Sequence, residues 1–286
     1  MTTIAWLGAG LLGSGFVQAA LGRGITVRVW NRTHSKAQAL VADGALACET
    51  AAEALFGADR VHVCLSDDES VRSVLEAVLA VLDPNVPVID HTTVSPDGAR
   101  ERAQWLAAHG VRYVSAPVFM GPAAARNASG RMLVAGPASV RDAVRAELAA
   151  MTGELVDCGE DHGEPCKVKL LGNSLIIGLT ALASDVLTLG VSMGMSAEVA
   201  LAAMSGFPVA AMLSGRAKSM CNAEYTPGFE LTMARKDLRL MLDQTGDRPL
   251  AALASVASRM DTLIAQGHGH ADLAAIAIET FAPKKR

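Results

Sequence analysis

The stretch IAWLGAGLLG, residues 4–13, decides the fold of the first half of the chain. Its apolar beginning predicts a buried strand, and the residues after it predict a helix over 11–21. Glycines between them follow the spacing G-x-G-x-x-G: the first makes the turn tight, the second lets a pyrophosphate approach, and the third packs helix against strand. The alternative is that these glycines serve the turn alone. The predicted cofactor contacts here are Gly8, Gly10, Leu11, Leu12 and Gly13, because a helix N-terminus presents N–H groups to an anion.

Around this loop, short apolar runs alternate with amphipathic stretches. Such alternation is typical of a parallel sheet with helices on both faces. The other predicted strands are residues 25–30, 60–65, 86–90, 112–115, 132–135 and 154–157, and the predicted helices among them are 36–41, 68–81, 96–109 and 137–151.

After about residue 163 the pattern predicts helices and no strand. These helices cover residues 170–191, 197–204, 209–220, 231–245 and 250–266. We therefore expect an α/β Rossmann-type N-terminal domain, residues 1–161, that binds NADP(H). An all-α C-terminal domain, residues 162–286, should follow it, begin with a long interdomain helix, and serve the substrate and dimerisation.

The second predicted strand ends at Asn31-Arg32-Thr33, where the residue type bears on the cofactor. An acidic residue at this place accepts the ribose 2′-hydroxyl of NAD, and the segment has none. Arg32 instead offers a guanidinium for a 2′-phosphate, to which Asn31 and Thr33 add hydrogen bonds. We expect NADP(H) to be preferred, with NAD(H) possible; the alternative is that Arg32 is a solvated loop residue. A later strand ends near Leu65 and Ser66, which predicts either a backbone contact to the cofactor or a plain strand-end turn.

Composition narrows the class of protein. The 286 residues are 51% hydrophobic with a formal charge of −4, which argues against a nucleic-acid-binding module. Five scattered cysteines fit free thiols in a reducing cytoplasm. The N-terminal segment lacks the basic region of a signal peptide, and no uninterrupted apolar run reaches the roughly 18 residues of a membrane span. We expect a cytoplasmic protein without membrane or nucleic-acid partners, whose apolar second-half helices form a homodimer or homotetramer.

A polar notch interrupts the predicted long helix in the stretch GEPCKVKLLGNS, residues 163–174. Lys169 and Asn173 are four residues apart and therefore share one face of the helix. Lys167 points to roughly the opposite side. From this stretch alone, the alternative is that both lysines extend to solvent.

Four segments make the chain resemble the β-hydroxyacid dehydrogenase family, which includes 3-hydroxyisobutyrate dehydrogenases and glyoxylate or succinic semialdehyde reductases. The resemblance covers nearly the whole length, and the four together are more specific than any one. The segments are the glycine loop, Asp90-His-Thr-Thr-Val-Ser-Pro96, Gly163-x5-Lys169-x3-Asn173, and Phe229-x6-Lys236-Asp237-Leu238.

This resemblance implies NADPH-dependent, reversible reduction of a small aldehyde or keto acid to the hydroxy acid. It makes Lys169 the general acid/base, with Asn173 one turn later holding the substrate, and leaves Lys167 solvated. Two further sets of contacts are implied, although a plain amphipathic helix explains Lys236 and Asp237 as well. Thr92, Phe229 and Asp237 would contact the substrate, and Thr93 and Lys236 the cofactor.

The chain departs from the family pattern after Ala116-Pro-Val118, where members usually have Ser-Gly-Gly for the substrate carboxylate. Here Phe119, Met120 and Gly121 follow, which puts the substrate in doubt and predicts a more apolar pocket. Arg126 either supplies the missing anion contact or faces solvent. Two alternatives stay open: an enzyme like the related imine reductases, which typically replace the lysine with an acidic residue or tyrosine, and a non-catalytic NADP(H)-binding sensor.

Other tempting patterns carry no prediction of a site. Cys158-x3-His162-x3-Cys166 is not a recognised zinc spacing, so we expect a solvated acidic loop and no metal. Neither Ser66 nor Ser115 has an adjacent histidine motif, so the sequence does not support nucleophilic hydrolysis.

Overall fold

A computed structural model describes residues 2–280 and divides the chain into two compact units that meet between Asn173 and Ser174. The first unit is built on a six-stranded parallel sheet of strand order β3-β2-β1-β4-β5-β6. Strand order reverses between β1 and β4, and ligands of such sheets bind outside the carboxyl ends of the strands at this point. The strands are β1 (Thr3–Leu7), β2 (Thr26–Trp30), β3 (Leu46–Ala47), β4 (Arg60–Val63), β5 (Val88–Asp90) and β6 (Tyr113–Ser115).

Helices and a smaller three-stranded sheet complete this unit, which confirms the predicted α/β fold. The helices are α1 (Leu11–Gly22), α2 (His34–Gln38), α3 (Ala51–Leu55), α4 (Asp68–Val78), α5 (Pro96–Ala108), α6 (Pro122–Arg126) and α7 (Ala138–Ala149), and the strands are β7 (Val118–Phe119), β8 (Arg131–Val134) and β9 (Glu154–Asp157). Sequence analysis missed β3, β7, α3 and α6, because elements of 2 or 5 residues are too short to show a period.

The central sheet is buried on both faces, as β1 shows. Ile4 and Trp6 belong to one hydrophobic core, while Ala5 and Leu7, which alternate with them, belong to the other. A polar side chain on either face of β1 would therefore be buried. Burying each large apolar side chain contributes roughly 1.5–3 kcal/mol to folding.

The second unit is helical, as predicted. Helix α8 (Gly163–Ser192) carries the chain into it, and α9 (Ala197–Ser205), α10 (Val209–Cys221), α11 (Leu231–Thr245) and α12 (Leu253–Leu263) follow. Helices α11 and α12 share the core of this unit, which contains Leu231, Leu238, Met260 and Leu263. Its one isolated β-bridge among the described residues joins Glu230 to Asp272.

A buried carboxylate connects two helices of the second unit. The carboxylate of Asp185 accepts hydrogen bonds from the backbone N–H groups of Ala251, Ala252 and Leu253, at 2.6, 2.9 and 2.8 Å. These groups lie at the N-terminus of α12, where the helix itself supplies no acceptor. Burial raises the pKa of Asp185, but the three N–H groups outweigh it and hold the pKa below the ordinary value. Asp185 therefore serves as a remote cap that fastens α8 to α12.

Much of α8 and α10 is apolar and exposed. Leu171, Ile177 and Met212 are 71%, 68% and 48% accessible. By length and composition alone, α8 could cross a membrane, and α9 with α10 could form a second, bent span. The polar residues within α8 do not lower its mean hydropathy below that of a membrane-spanning helix. Helices in the cores of water-soluble proteins can be equally long and apolar.

Replacing Asp185 with alanine should lower the free energy of unfolding by about 2 kcal/mol, because three backbone N–H groups at the start of α12 lose a charged acceptor. Since the folded-state pKa is depressed, this stabilisation is present above the unfolded pKa of about 3.9 and is lost as the pH falls through the folded pKa. Thermal unfolding at pH 7 and at pH 3, followed by circular dichroism, measures both effects. Asp243→Ala, on the exposed side of α11, is the control and should change stability by less than about 0.5 kcal/mol. Equal stability of the two variants would contradict the capping role.

Candidate functional site

The glycine loop has the geometry that a bound pyrophosphate needs. Gly8 has a φ of +113°, and a Cβ there would lie 2.1 Å from the carbonyl oxygen of Cys64. A Cβ on Gly13 would lie 2.1 Å from the carbonyl oxygen of Gly8, so both glycines are required by the local packing. A Cβ on Gly10, in contrast, would meet no atom within 4 Å. The open side of the loop is therefore at Gly10, where a phosphate can approach the backbone.

The N-terminus of α1 favours an anion beside this opening. Gly10 is its N-cap and offers no side-chain hydrogen bond, and the first turn contains no acidic residue. The first N–H groups of a helix have no partner within the helix. Since Leu11 is 84% exposed, the end of the helix is accessible to a ligand.

A groove of about 1140 Å³ lies along the carboxyl ends of β1, β2, β4 and β5. It collects most of the residues predicted to bind the cofactor, and Gly8 packs behind it against Cys64. Sequence analysis missed Lys36, the second basic residue of the groove; a lysine four positions after Arg32 was the available signal. The predicted residues that line the groove are Gly10, Leu11, Leu12, Gly13, Asn31, Arg32, Thr33, Leu65, Ser66, Thr92 and Thr93.

Two of these predicted residues use their side chains to hold the walls of the groove. The Asn31 Oδ1 atom accepts from the N–H of Ala9 at 2.9 Å, and its Nδ2 donates to the carbonyl oxygen of Thr33 at 2.9 Å. The Ser66 hydroxyl donates to Asp67, which caps α4. Asn31 therefore connects the end of β2 to the glycine loop. The cationic side chains that line the groove are those of Arg32 and Lys36.

A buried ionic network fixes the segment after β5. The Asp90 carboxylate accepts from the N–H of Thr92 at 2.9 Å and from the Tyr113 hydroxyl at 2.8 Å, and Arg102 lies 3.3 Å away. The Thr92 Oγ1 in turn accepts from the N–H of Leu65 at 3.1 Å. The Thr92 hydroxyl keeps its hydrogen to donate. The network thereby holds Thr92 at the junction of β4 and β5.

The local sequence does not predict that Arg102 and Tyr113 belong to this network. A charged residue on an amphipathic helix, such as Arg102, is expected to face solvent. The Arg102 side chain is 3% exposed. Burial lowers its pKa, but Tyr113 and Asp90 outweigh burial, and the pKa lies above the ordinary arginine value. Burial, and then Asp90, raises the pKa of Tyr113, so its hydroxyl remains a donor at neutral pH.

The structure brings together a serine and a histidine that the sequence keeps apart. Ser115 Oγ lies 3.1 Å from Nδ1 of His162, 47 residues later. Ser115 is only 2% exposed, and burial lowers the pKa of His162 to about 4. Ser115 is not among the residues that line the groove, so the pair is structural. Burial likewise raises the pKa of the Cys166 thiol to about 12, and within residues 2–280 no cluster of metal-binding side chains forms there.

The two lysines of α8 differ in their surroundings. Lys167 is exposed and its Nζ donates to Glu164 at 2.5 Å. Lys169 is 9% exposed and, among the described lysines, is the only buried one. Its Nζ lies 4.5 Å from the centre of the Phe119 ring, and burial lowers its pKa from the ordinary value. Half-buried Asn173 follows one turn later.

Phe119 reaches this helix because residue 172 is glycine. A Cβ on Gly172 would lie 2.3 Å from two ring carbons of Phe119, so any larger residue would displace the ring. Met120 is half-buried beside it, whereas Gly121 and Arg126 are exposed. The Phe119 ring thus packs against Gly172 and beneath the Lys169 ammonium, a favourable cation–π position.

Three predicted site residues belong to the second unit. Lys236 and Asp237 lie on α11, and their side chains pair at 2.8 Å. The N–H of Phe229 donates to Asp272 at 3.0 Å. Their predicted contacts to cofactor and substrate stay predictions.

Two family models match almost the whole chain. Residues 3–159 match the NAD-binding domain of 6-phosphogluconate dehydrogenase, and residues 163–279 match the NAD-binding domain of NADP-dependent 3-hydroxyisobutyrate dehydrogenase. The chain belongs to the 3-hydroxyisobutyrate dehydrogenase family. It is a nicotinamide-dependent oxidoreductase.

Relatives agree with this membership, and a solved structure shares the fold. An uncharacterized oxidoreductase of Bacillus subtilis is 31% identical, over 96% of this chain and 98% of its own length. A probable 3-hydroxyisobutyrate dehydrogenase of Mycobacterium tuberculosis is 29% identical, over 96% of this chain and 97% of its own length. A reductive aminase of Aspergillus terreus, solved with NADPH and ethyl levulinate, superposes with a TM-score of 0.85 at 24% identity. The superposition covers 98% of this chain and 99% of the aminase chain. This last likeness shows the fold.

Replacing Arg32 with aspartate should shift binding from NADPH toward NADH. The change removes the guanidinium that we expect at the 2′-phosphate and introduces a carboxylate that repels it. Hydrogen bonds to charged groups contribute about 1.5–3 kcal/mol, so the ratio of the two dissociation constants should change by about 10-fold to 100-fold. Calorimetric titration measures both constants without a substrate. Arg248→Asp, at an exposed position of the second unit, carries the same charge change and should leave the ratio unaltered; an unaltered ratio in Arg32→Asp would contradict the assignment.

Proposed function

We propose that this chain catalyses the NADPH-dependent, reversible interconversion of a small aldehyde or keto acid and the corresponding hydroxy acid, with Lys169 as general acid/base. The observation that carries the proposal is the burial of Lys169 beside Phe119, one helical turn before Asn173. A buried ammonium with a lowered pKa is costly for folding and suited to giving up a proton.

The groove fits the cofactor that this reaction requires. The open backbone at Gly10 suits a pyrophosphate, and Arg32 and Lys36 suit a 2′-phosphate, which is why we propose NADP(H) over NAD(H). When bound, the reduced nicotinamide supplies a hydride to the carbonyl carbon. Thr92 and Thr93, which line the same groove, are the proposed contacts at the nicotinamide and substrate end.

The proposed proton transfer uses Lys169. In reduction, its Nζ donates a proton to the carbonyl oxygen as the carbon is reduced, and in oxidation it accepts the hydroxyl proton. Asn173 and Thr92 donate hydrogen bonds that orient the substrate, since both carry a donor group. Phe119 and Met120 supply an apolar wall beside the reacting carbonyl.

We further propose that the exposed apolar side chains of α8 and α10 pack against a second copy of the chain, in a homodimer or homotetramer in the cytoplasm. Large exposed apolar patches of soluble proteins mark interaction surfaces. Sedimentation velocity without detergent should show a dimer or tetramer. A monomer that floats with liposomes would contradict the proposal and indicate that these side chains contact a membrane instead.

A panel of carbonyl compounds tests the reaction. NADPH oxidation should be measured with glyoxylate, succinic semialdehyde, tartronate semialdehyde and methylmalonate semialdehyde, and with a cyclic imine for comparison. We expect turnover of at least one carboxylate-bearing aldehyde. Activity on the imine alone would replace the proposal with an imine reductase, and tight NADPH binding without any turnover would favour a non-catalytic sensor.

Replacing Lys169 with alanine should lower kcat on the accepted substrate by about 10²–10⁴-fold, the usual contribution of a positioned general acid. The dissociation constant of NADPH should barely change, because the groove lies along other elements. Lys167→Ala is the matched control and should keep wild-type kcat, since Lys167 is exposed and paired with Glu164. The reverse pattern, loss in Lys167→Ala only, would contradict the assignment.

A further inference from the structure

Two histidines meet in the core of the first unit, where the proposed chemistry does not use them. His62 on β4 is fully buried, and His91, which follows β5, is 2% exposed. Nδ1 of His62 lies 2.9 Å from Nε2 of His91. Burying an imidazole costs free energy unless both of its nitrogens form hydrogen bonds.

The two rings form one flat unit held by aromatic neighbours. Their planes differ by 8° with centres 5.2 Å apart, which is the side-by-side geometry of an in-plane hydrogen bond. The Trp6 indole stacks on both, at 4.8 Å from His62 and 5.6 Å from His91. Phe16 stacks on His91 at 5.4 Å. Neither ring can turn without losing this packing.

Hydrogen-bond chemistry fixes every proton in this unit. The Arg60 Nε can only donate, and it lies 3.2 Å from His62 Nε2, which must therefore accept. His62 then carries its proton on Nδ1 and donates to His91 Nε2. His91 in turn carries its proton on Nδ1 and donates to the carbonyl oxygen of Ala116 at 2.9 Å. The chain of donors runs in one direction, with both imidazoles neutral.

The far end of this chain touches the segments assigned to the reaction. His91 directly precedes Thr92, and Ala116 lies three residues before Phe119. The N–H of Ala116 also donates to the carbonyl oxygen of Asp90 at 2.7 Å, so the bond from His91 clamps the two segments together from a second side. Trp6, which stacks on the pair, donates from Nε1 to the carbonyl oxygen of Gly8 in the phosphate loop.

We propose that His62 and His91 form a positioning pair, locked as Nδ1–H tautomers, that sets the backbone of Thr92 and of the Ala116–Phe119 segment for catalysis. This inference rests on the proposed function, since it assigns those segments to the reaction. His62 touches no substrate and acts through His91 and Ala116. Protonating either imidazole would place two donors face to face and break the chain.

The charges around the pair keep it neutral. Burial, then His91, Arg60 and Arg23, lowers the pKa of His62 well below the ordinary value. Burial lowers the pKa of His91, against opposing contributions from the Ala116 carbonyl and Asp90. Two acids act on Arg60 at that end: Glu147, which lies 4.0 Å away, and Asp59. The pair should therefore stay neutral across the pH range in which an ordinary histidine titrates.

Nitrogen NMR of histidine-labelled protein tests the tautomers without any substrate. Both imidazoles should show a protonated Nδ1 and an unprotonated Nε2, unchanged between about pH 8 and pH 5.5, a range that spans the ordinary histidine pKa. An Nε2–H tautomer or an imidazolium at either buried position would overturn the proposal.

Two conservative variants of His62 separate positioning from packing. In His62→Asn the amide nitrogen replaces Nδ1 and still donates to His91, whereas in His62→Gln the amide oxygen replaces Nε2 and keeps only the bond from Arg60. We expect His62→Asn to keep kcat within about threefold, and His62→Gln to lose roughly 10-fold to 100-fold in kcat, the range of small misplacements, with little change in the NADPH dissociation constant.

Backbone amide shifts of Thr92 and Val118 should move in His62→Gln and stay in place in His62→Asn. If both variants instead lose kcat in proportion to their lost thermal stability, and the amide shifts move alike, the histidines serve packing alone and the proposal is wrong. The NMR readouts need no turnover. A wild-type protein that reduces no carbonyl would therefore overturn the proposed function. The tautomers and amide shifts would still show whether His62 and His91 form the positioning pair.

Discussion

The first unit depends on the contact between the glycine loop and the end of β4. The N–H of Gly8 donates to the carbonyl oxygen of Trp30 at 2.8 Å, and the N–H of Cys64 donates to that of Leu7 at 2.9 Å. No side chain fits at Gly8, because a Cβ would overlap the Cys64 carbonyl. This close approach brings three strand ends together at the reversal of strand order, and the cofactor groove exists because of it.

The proposed chemistry uses burial rather than a neighbouring charge to lower the pKa of a lysine. Lys169 faces an aromatic ring, and desolvation alone lowers its pKa. The ring can lie there only because Gly172 leaves room for it. Phe119 therefore combines two roles, since it shapes an apolar wall and removes water from the ammonium.

Sequence patterns predicted what depends on local chemistry: the glycine loop, the alternation of strands and helices, and the all-helical second half. The contacts that they missed join side chains from separate strands and helices, such as His62 with His91, Arg102 with Asp90, and Ser115 with His162. Such pairs depend on strand register and helix docking, which no short stretch of sequence encodes. Very short elements such as β7 and α6 escaped for the related reason that tertiary contacts, not periodicity, hold them.

The pH dependence of kcat in both directions tests most directly the claim that Lys169 transfers the proton. In reduction, kcat should fall as the pH rises through the pKa of Lys169, which lies below the ordinary lysine value of about 10.5, because the donor loses its proton. In oxidation, kcat should rise through the same pKa, because the base becomes free. Both limbs should vanish in Lys169→Ala. If either limb persists in that variant, another group transfers the proton and the account is wrong.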